Sequence, residues 1–325
     1  MKVAVTGASG HIGYSIVQEL LSRGLTPKIL IHRNNPFSNN PKVEYVKGSM
    51  LSKDDILNLV DGCDYIIHCA AMISVGGDQK GDVYGANTQG VRNVLEAAKE
   101  KNIKRVVHMS SVHVFNIGKG DKILTEETDF IPDDTALIYE KSKRDAQIIA
   151  QEFAKEGLDV VILNPTSVFG APDYANSRQN HAVWDLYHGK YPFLFKGGYD
   201  WVDVKDVAQA SANALTMGRS GESYLLSGYY LTIKDLSQTV AKVTGKKITC
   251  IELPVPLVRL GVPFVQLYSK IVGTEPLLSH DAIDILLNSP KQIRKTKAAN
   301  ELNFTNRPIE ETVAGIIEFF KSHKA

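Results

Sequence analysis

The chain has 325 residues, of which 43% are hydrophobic and 22% charged, proportions typical of a globular protein with one large or two moderate domains. Its net charge of +1 gives no electrostatic reason to expect a nucleic acid or an anionic membrane as partner. The three cysteines lack metal-ligand spacing, no signal peptide precedes the first strand pattern, and every long apolar run is interrupted, so we expect a cytoplasmic protein.

Apolar segments alternate with amphipathic helical segments through the first half of the chain. Strand patterns occupy residues 2–6, 28–32, 43–47, 65–70, 105–110 and 160–164, and helical patterns occupy 12–23, 53–60, 83–101 and 139–156. Several of these strands, such as Val-Ala-Val, Ile-Leu-Ile, Tyr-Ile-Ile and Val-Val-Ile-Leu, are apolar throughout, which is typical of a sheet that helices cover on both faces. This order predicts an α/β fold with a Rossmann-type, doubly wound parallel sheet.

The pattern loosens after Pro165, where glycine, proline and aromatic residues become frequent. A short strand at 201–202, a helix at 204–217 and a strand at 223–226 are expected to return to the sheet. Helices near 233–243, 279–287 and 309–321 predict a smaller, mostly helical C-terminal lobe. We therefore expect a nucleotide-binding domain from 1–170 with about 201–228, and a substrate-binding lobe from 171–200 and 229–325.

A glycine-rich loop, Thr-Gly-Ala-Ser-Gly-His-Ile-Gly, joins the first strand to the first helix. Glycines in this position allow a tight turn and a close approach of the backbone to a pyrophosphate, and the helix N-terminus offers free N–H groups to it. A glycine-rich turn that binds nothing is the alternative. The residues expected to contact a dinucleotide here are Gly7, Ser9, Gly10, His11, Ile12 and Gly13.

The end of the second strand indicates which dinucleotide binds. An NAD site usually places Asp or Glu there to bind the ribose hydroxyls. This chain has Arg33 instead, which could pair with a 2′-phosphate. The sequence therefore predicts NADP, with NAD less favoured, although Arg33 could also be a solvated loop residue.

Tyr139 and Lys143 stand four residues apart at the start of a helical pattern, so they share one helix face. A positive charge beside a phenol favours the phenolate and lowers the pKa of the tyrosine. We expect Tyr139 to be a general acid or base for hydride transfer between a nicotinamide and a carbonyl or alcohol.

The Gly-x-x-Gly-x-x-Gly spacing and the Tyr-x-x-x-Lys motif resemble those of the extended short-chain dehydrogenase/reductase family, and the resemblance covers nearly the whole chain. It implies a catalytic serine before Val114-Phe115, which is Ser111, with Ser110 as the second choice. It also implies that Lys143 binds the nicotinamide ribose. Further cofactor contacts implied by the resemblance are Ser49, Met50, Ala70, Ala71, Asn87, Pro165 and Ser167, with Tyr139 itself facing the nicotinamide. Relatives carry Asp where this chain has Ser49, which weakens that assignment.

The segment from Gly197 to Ala208 and the Asn164-Pro165 pair resemble the dihydroflavonol-reductase-like branch. The resemblance implies an NADP-dependent oxidoreductase that reduces a ketone or aldehyde, or catalyses the reverse reaction. A nucleotide-sugar epimerase or dehydratase with tightly bound cofactor is the alternative, and a non-catalytic NADP-binding sensor is a second. We expect the partner to be a small-molecule carbonyl or alcohol and the protein to be a monomer or a homodimer.

Two further assignments concern the substrate lobe. His181, Asp185 and His188 share a predicted helix face and could hold a metal, but the mechanism needs none and we expect them to be pocket or surface residues. We expect the substrate pocket to be lined from residues 72–75, 115, 173–181, 187–195 and 199–201, which are rich in aromatic and apolar side chains.

Overall fold

A computed structural model describes residues 1–72, 82–118, 122–272 and 279–323. The elements up to the last central strand are β1 (Lys2–Thr6), α1 (His11–Ser22), β2 (Thr26–Ile31), β3 (Glu44–Lys47), α2 (Lys53–Val60), β4 (Tyr65–His68), α3 (Asp82–Glu100), β5 (Arg105–Met109), α4 (Ile138–Lys155) and β6 (Val160–Pro165). All six strands and four helices predicted for this half of the chain form.

The second half of the chain contributes shorter strands and seven helices among the described residues. These are β7 (Ser167–Phe169), α5 (Arg178–Tyr187), β8 (Phe193–Leu194), β9 (Gly198–Asp203), α6 (Val204–Asn213), β10 (Ser223–Leu226), β11 (Tyr229–Thr232), α7 (Ile233–Thr244), β12 (Ile251–Glu252), α8 (Val255–Val272), α9 (His280–Asn288), α10 (Thr296–Leu302) and α11 (Ile309–His323).

Seven strands form one parallel sheet in the order β10-β6-β5-β4-β1-β2-β3. The strand order reverses between β1 and β4, and ligands of doubly wound sheets bind at the carboxyl ends of the strands beside such a reversal. Thr6 and His68 are register partners there. The predicted fold class is confirmed.

Helices cover both faces of the sheet, which explains why its inner strands are largely apolar, whereas the edge strand β3 is mostly exposed. On one face, Val3 and Val5 belong to a core with residues of α1 and α6, including Ile16. On the other, Ala4 and Ile66 belong to a core with residues of α2, α3 and α4. A third core joins α5, α7 and α11 and forms the interior of the C-terminal lobe.

The strand expected at residues 201–202 is part of β9, but it does not return to the central sheet. It pairs with β7 and β11 in a separate three-stranded sheet. The chain returns to the central sheet through α6 and β10 instead. Helix α6 packs on the face covered by α1, and β10 pairs with β6 at the sheet edge. The predicted strand covered only two residues, which is too short for the sequence to indicate which of the two sheets it joins.

Helices α8 and α10 were not predicted. In α8 the apolar pattern is interrupted by Pro263, which is unfavourable inside a helix, and the helically spaced Leu257, Leu260 and Phe264 are exposed. Within the described residues, no helix is both long enough and apolar enough to cross a membrane.

Candidate active site

The glycine-rich loop is packed so closely that side chains cannot replace its glycines. Gly7 has φ +75°, and a Cβ there would lie 2.6 Å from the backbone nitrogen of Ala70. A Cβ on Gly13 would lie 2.1 Å from the carbonyl oxygen of Gly7. The first turn of α1, the loop and the end of β4 therefore enclose a narrow backbone cradle at the strand-order reversal.

The N-terminus of α1 is open to an anion. Gly10 caps the helix without a side-chain hydrogen bond, and the first turn holds no acidic residue. Ser9 is exposed, while His11 and Ile12 are partly buried in the first turn. Since free N–H groups and the positive end of the helix dipole favour negative charge, this cradle fits the pyrophosphate of a dinucleotide.

Two polar side chains join the strand ends beneath the cradle. The Thr6 hydroxyl lies 2.7 Å from Nδ1 of His68 and accepts a hydrogen bond from the backbone N–H of Ala70. Ala71 follows, partly exposed, and so remains accessible to a ligand at this edge.

The expected ribose and adenine contacts lie on the next loops. Arg33 is exposed after β2, and within the described chain it forms no ion pair. Ser49 is positioned by Asp55 of α2, whose Oδ2 accepts the Ser49 N–H at 2.9 Å. The Met50 carbonyl oxygen accepts a hydrogen bond from Asn93 of α3 at 3.0 Å. The sequence did not single out Asp55, because the helix dipole favours an acidic residue in the first turn of any helix.

Ser111 follows β5, is buried, and its side chain lies beside Tyr139 at the start of α4, where it acts to lower the pKa of the tyrosine. Its Oγ also accepts the N–H of His113 at 3.2 Å. Ser110 is buried too, but its hydroxyl has no hydrogen-bond partner among the described residues. Of the two candidate serines, the structure brings Ser111 to the tyrosine.

Lys143 lies one turn after Tyr139, as their spacing predicts. Its side chain is 4% exposed, and Nζ donates to the carbonyl oxygen of Met109 at 2.6 Å. Burial lowers the pKa of Lys143 to about 8, because the charged form has lost most of its hydration.

The expected effect of Lys143 on the tyrosine needs correction. Burial raises the pKa of Tyr139 above its ordinary value of 10.0, and the neighbouring Ser111 side chain opposes that rise. The interaction that lowers the pKa of Tyr139 therefore comes from Ser111 and not from Lys143, whose ammonium group donates to the Met109 carbonyl oxygen. At neutral pH Tyr139 is protonated and able to donate a proton.

Asn87 of α3 is buried and ties three elements of the site together. Its Oδ1 accepts the backbone N–H of Met72 at 2.7 Å, and its Nδ2 donates to Ser142 Oγ at 2.9 Å. Ser142 donates in turn to the carbonyl oxygen of Tyr139. Asn87 thus holds the loop after β4 against the helix turn that carries Tyr139. Ser142 was missed because a serine inside a helix carries no signal of its own.

A second buried network fixes Ser111 from behind. Asn164 Nδ2 donates to the Ser111 carbonyl oxygen and to Gln147 Oε1, both at 2.8 Å. Gln147 donates to the hydroxyl of Ser223 in β10. Gln147 was missed, although it continues the four-residue spacing of Tyr139 and Lys143 on one face of α4, which could have identified it.

Two buried histidines lie side by side on the central strands β4 and β5. His68 and His108 are register partners on β4 and β5, and their rings stack with centroids 5.6 Å apart. Burial lowers the pKa of His68 to about 3 and holds that of His108 well below its ordinary value. Both are therefore neutral near Lys143 and add no competing charge.

Pro165 and Ser167, expected near the nicotinamide, flank the passage from β6 to β7. Pro165 is buried at the end of β6, while Ser167 is partly exposed at the start of β7 and pairs with Trp201. The carboxyl end of β6 thus directs this segment toward the edge that holds Ser111.

The residues expected to line the substrate pocket are described in part. Phe115 and Trp201 are buried in cores, and residues 73–75 lie outside the described residues. Asp185 binds Lys190, and the His188 ring packs against Trp184. The described residues contain no group of three His, Cys, Asp or Glu side chains that could hold a metal.

Comparison with known proteins identifies relatives for this arrangement. The model of the NAD dependent epimerase/dehydratase family matches residues 3–227. The chain is 26% identical to Sterol demethylase protein B of Methylococcus capsulatus, over 99% of this chain and 98% of that protein. It is also 26% identical, over 98% of this chain and 94% of the relative, to a Synechocystis sp. protein provisionally assigned as a dihydroflavonol 4-reductase.

A solved structure, the UDP-glucose 4-epimerase of Thermotoga maritima with UDP-glucose, superposes with a TM-score of 0.79 at 19% identity and covers 100% of both chains. At this identity the likeness shows the fold alone. The family match covers most of the chain and includes the phosphate loop, Ser111, Tyr139 and Lys143. The chain therefore belongs to the NAD-dependent epimerase/dehydratase family of extended short-chain dehydrogenases/reductases, enzymes that bind NAD(P).

Proposed function

We propose that this protein is an NADP(H)-dependent oxidoreductase that reduces a ketone or aldehyde to an alcohol, or catalyses the reverse reaction. The observation that carries the proposal is the proximity of the Ser111 side chain to Tyr139, with buried Lys143 one turn farther along α4. This group follows the carboxyl end of β5, in the same sheet edge as the phosphate loop.

Each side chain has a distinct task in this reaction. When bound, the reduced nicotinamide supplies the hydride that adds to the carbonyl carbon. Tyr139, protonated at neutral pH, transfers its proton to the carbonyl oxygen and later recovers one from solvent. Ser111 stabilises the negative charge that develops on the same oxygen by donating a hydrogen bond. Lys143 contributes a positive charge in a site that excludes water.

The preference for NADP rests on Arg33. The guanidinium group is exposed, and within the described chain no carboxylate binds it, so it can form charge-assisted hydrogen bonds to a 2′-phosphate. Each hydrogen bond to a charged group contributes about 1.5–3 kcal/mol, enough to favour one dinucleotide over the other by tenfold or more.

The choice of carbonyl reduction over sugar-nucleotide chemistry is supported by the relative assigned as a dihydroflavonol 4-reductase, which matches the chain along nearly its whole length. The Asn164-Pro165 pair, which resembles the reductase branch, supports it as well.

A panel of aldehydes, ketones and alcohols, followed by absorbance of the reduced nicotinamide with NADPH and with NADH, tests this proposal. We expect net NADPH consumption by carbonyl compounds and loss of turnover in Tyr139→Phe, with NADPH binding retained. Tyr45→Phe, which removes the same hydroxyl from an exposed tyrosine on β3, is the matched control. Conversion of a nucleotide sugar without net change in cofactor would instead support an epimerase.

A further inference from the structure

The side chain of His11 connects the phosphate loop to the substrate lobe. His11 is the first residue of α1, and its Nε2 lies 2.7 Å from the carbonyl oxygen of Gly170. Because a carbonyl oxygen can only accept, Nε2 carries the proton and donates it. The bond joins residues 159 positions apart in the chain.

Hydrogen bonds to Asn180 and close packing against Asp203 fix the position of Gly170. Its N–H donates to Oδ1 of Asn180 and its oxygen accepts from Nδ2 of the same side chain, both at 2.8 Å. Its φ of +116° is in the region that favours glycine, and a Cβ would lie 3.1 Å from Oδ2 of Asp203. A displacement of Gly170 would therefore also disturb Asn180, which is 1% exposed.

The network continues into the first turn of α5. Asn180 donates to Oδ2 of Asp173, which also accepts the N–H of Ser177 at 2.7 Å and its hydroxyl at 2.6 Å. Ser177 caps α5. Burial alone would raise the pKa of Asp173, but His11, Ser177 and Asn180 together hold that pKa below its ordinary value. A buried carboxylate that faces His11 thus fixes the start of the helix.

We propose that His11 is a positioning residue that couples occupancy of the phosphate loop to the order of residues 170–180, where the substrate lobe begins. The inference rests on the proposed function, since it takes a dinucleotide as the ligand of the loop. A pyrophosphate that accepts hydrogen bonds from the first turn of α1 restricts the motion of that turn. The restriction passes through His11 to Gly170 and α5, and by linkage the order of α5 strengthens cofactor binding.

Amide hydrogen exchange, read by mass spectrometry with and without NADPH, tests the coupling without a known substrate. In the wild type we expect NADPH to slow exchange in residues 6–13 and, by about fivefold or more, in residues 170–180, which is the lower end of typical coupling. His11→Phe and His11→Asn remove the bond by different means. In both, residues 6–13 should remain protected by NADPH while residues 170–180 do not respond.

His11→Gln is the conservative control, because its amide nitrogen can donate to Gly170 from a similar distance. It should restore the response of residues 170–180, which a change in packing alone would not do. An undiminished response in both His11→Phe and His11→Asn would overturn the coupling. Failure of NADPH to protect residues 6–13 in the wild type would overturn the cofactor assignment and the coupling with it.

Discussion

Replacing Lys143 with methionine should stabilise the fold at neutral pH while it abolishes turnover. The ammonium group is 4% exposed, and within the described residues Nζ has one hydrogen-bond acceptor, the Met109 carbonyl oxygen. Methionine keeps an unbranched chain of similar length and adapts to the same space. The variant therefore removes a buried charge without leaving a large cavity.

The magnitude follows from the pKa of Lys143, which falls from 10.5 to about 8 on folding. Below pH 8 both states are charged, and the folded state carries a penalty of about 3 kcal/mol, from about 1.4 kcal/mol for each pKa unit. As pH rises from about 8 to 10.5 the folded state has lost its proton while the unfolded state still binds it, so stability rises with pH. Between pH 7 and pH 9.5 the wild type should gain about 2 kcal/mol from this residue.

Urea unfolding followed by tryptophan fluorescence at the two pH values measures this gain. The loss of the hydrogen bond to Met109 lowers the stability of the variant equally at both pH values and cancels in the difference. Lys155→Met is the matched control, because Lys155 is exposed at the end of the same helix. It should follow the wild-type pH dependence, whereas Lys143→Met should lack the gain of about 2 kcal/mol. A Lys143→Met variant with the full wild-type gain would refute the reasoning.

Three further substitutions test other parts of the site. Ser111→Ala should lower kcat by about a hundredfold or more, the usual effect of losing one donor to a developing oxyanion. Ser110→Ala should retain most of the activity in steady-state kinetics on the preferred carbonyl compound. Equal losses of kcat in Ser111→Ala and Ser110→Ala would show that the assignment of Ser111 is wrong. Gly13→Ala should weaken NADPH binding by about tenfold or more in calorimetry, because its Cβ meets a backbone oxygen at 2.1 Å. Gly85→Ala, in open space on α3, should bind NADPH as the wild type does. Arg33→Ala should raise the Kd for NADPH about tenfold and leave that for NADH unchanged; a parallel loss for both would remove Arg33 from the 2′-phosphate site.

Much of the candidate site lies in segments whose local sequence pattern was sufficient to predict their structure. Gly7 and Gly13 stand between a strand and a helix, and that context alone predicts a phosphate loop. Tyr139 and Lys143 share a helix face because of their spacing, and no knowledge of the rest of the chain is needed. The sequence also predicted β1 to β6; the inner strands are recognisable as largely apolar runs because both of their faces are buried.

Tertiary structure decided everything that depends on which segments meet. Ser110 and Ser111 are neighbours with the same chemistry, and only the path of the backbone after β5 brings Ser111 to Tyr139. The pKa of Tyr139 depends on burial and on a donor 28 residues earlier in the chain, neither of which the Tyr-x-x-x-Lys spacing contains.

The same holds for the residues that support the site. Gln147 and Asn164 meet across a helix and a strand, and His11 meets Gly170 from opposite halves of the chain. The sequence alone determined the fold class, the glycine-rich loop and the placement of Tyr139 and Lys143 on one helix face, because short-range periodicity and spacing encode them. The three-dimensional fold decided which serine lies beside Tyr139, the protonation of the tyrosine and the bond between His11 and Gly170, because burial and long-range hydrogen bonds arise only when distant segments pack together.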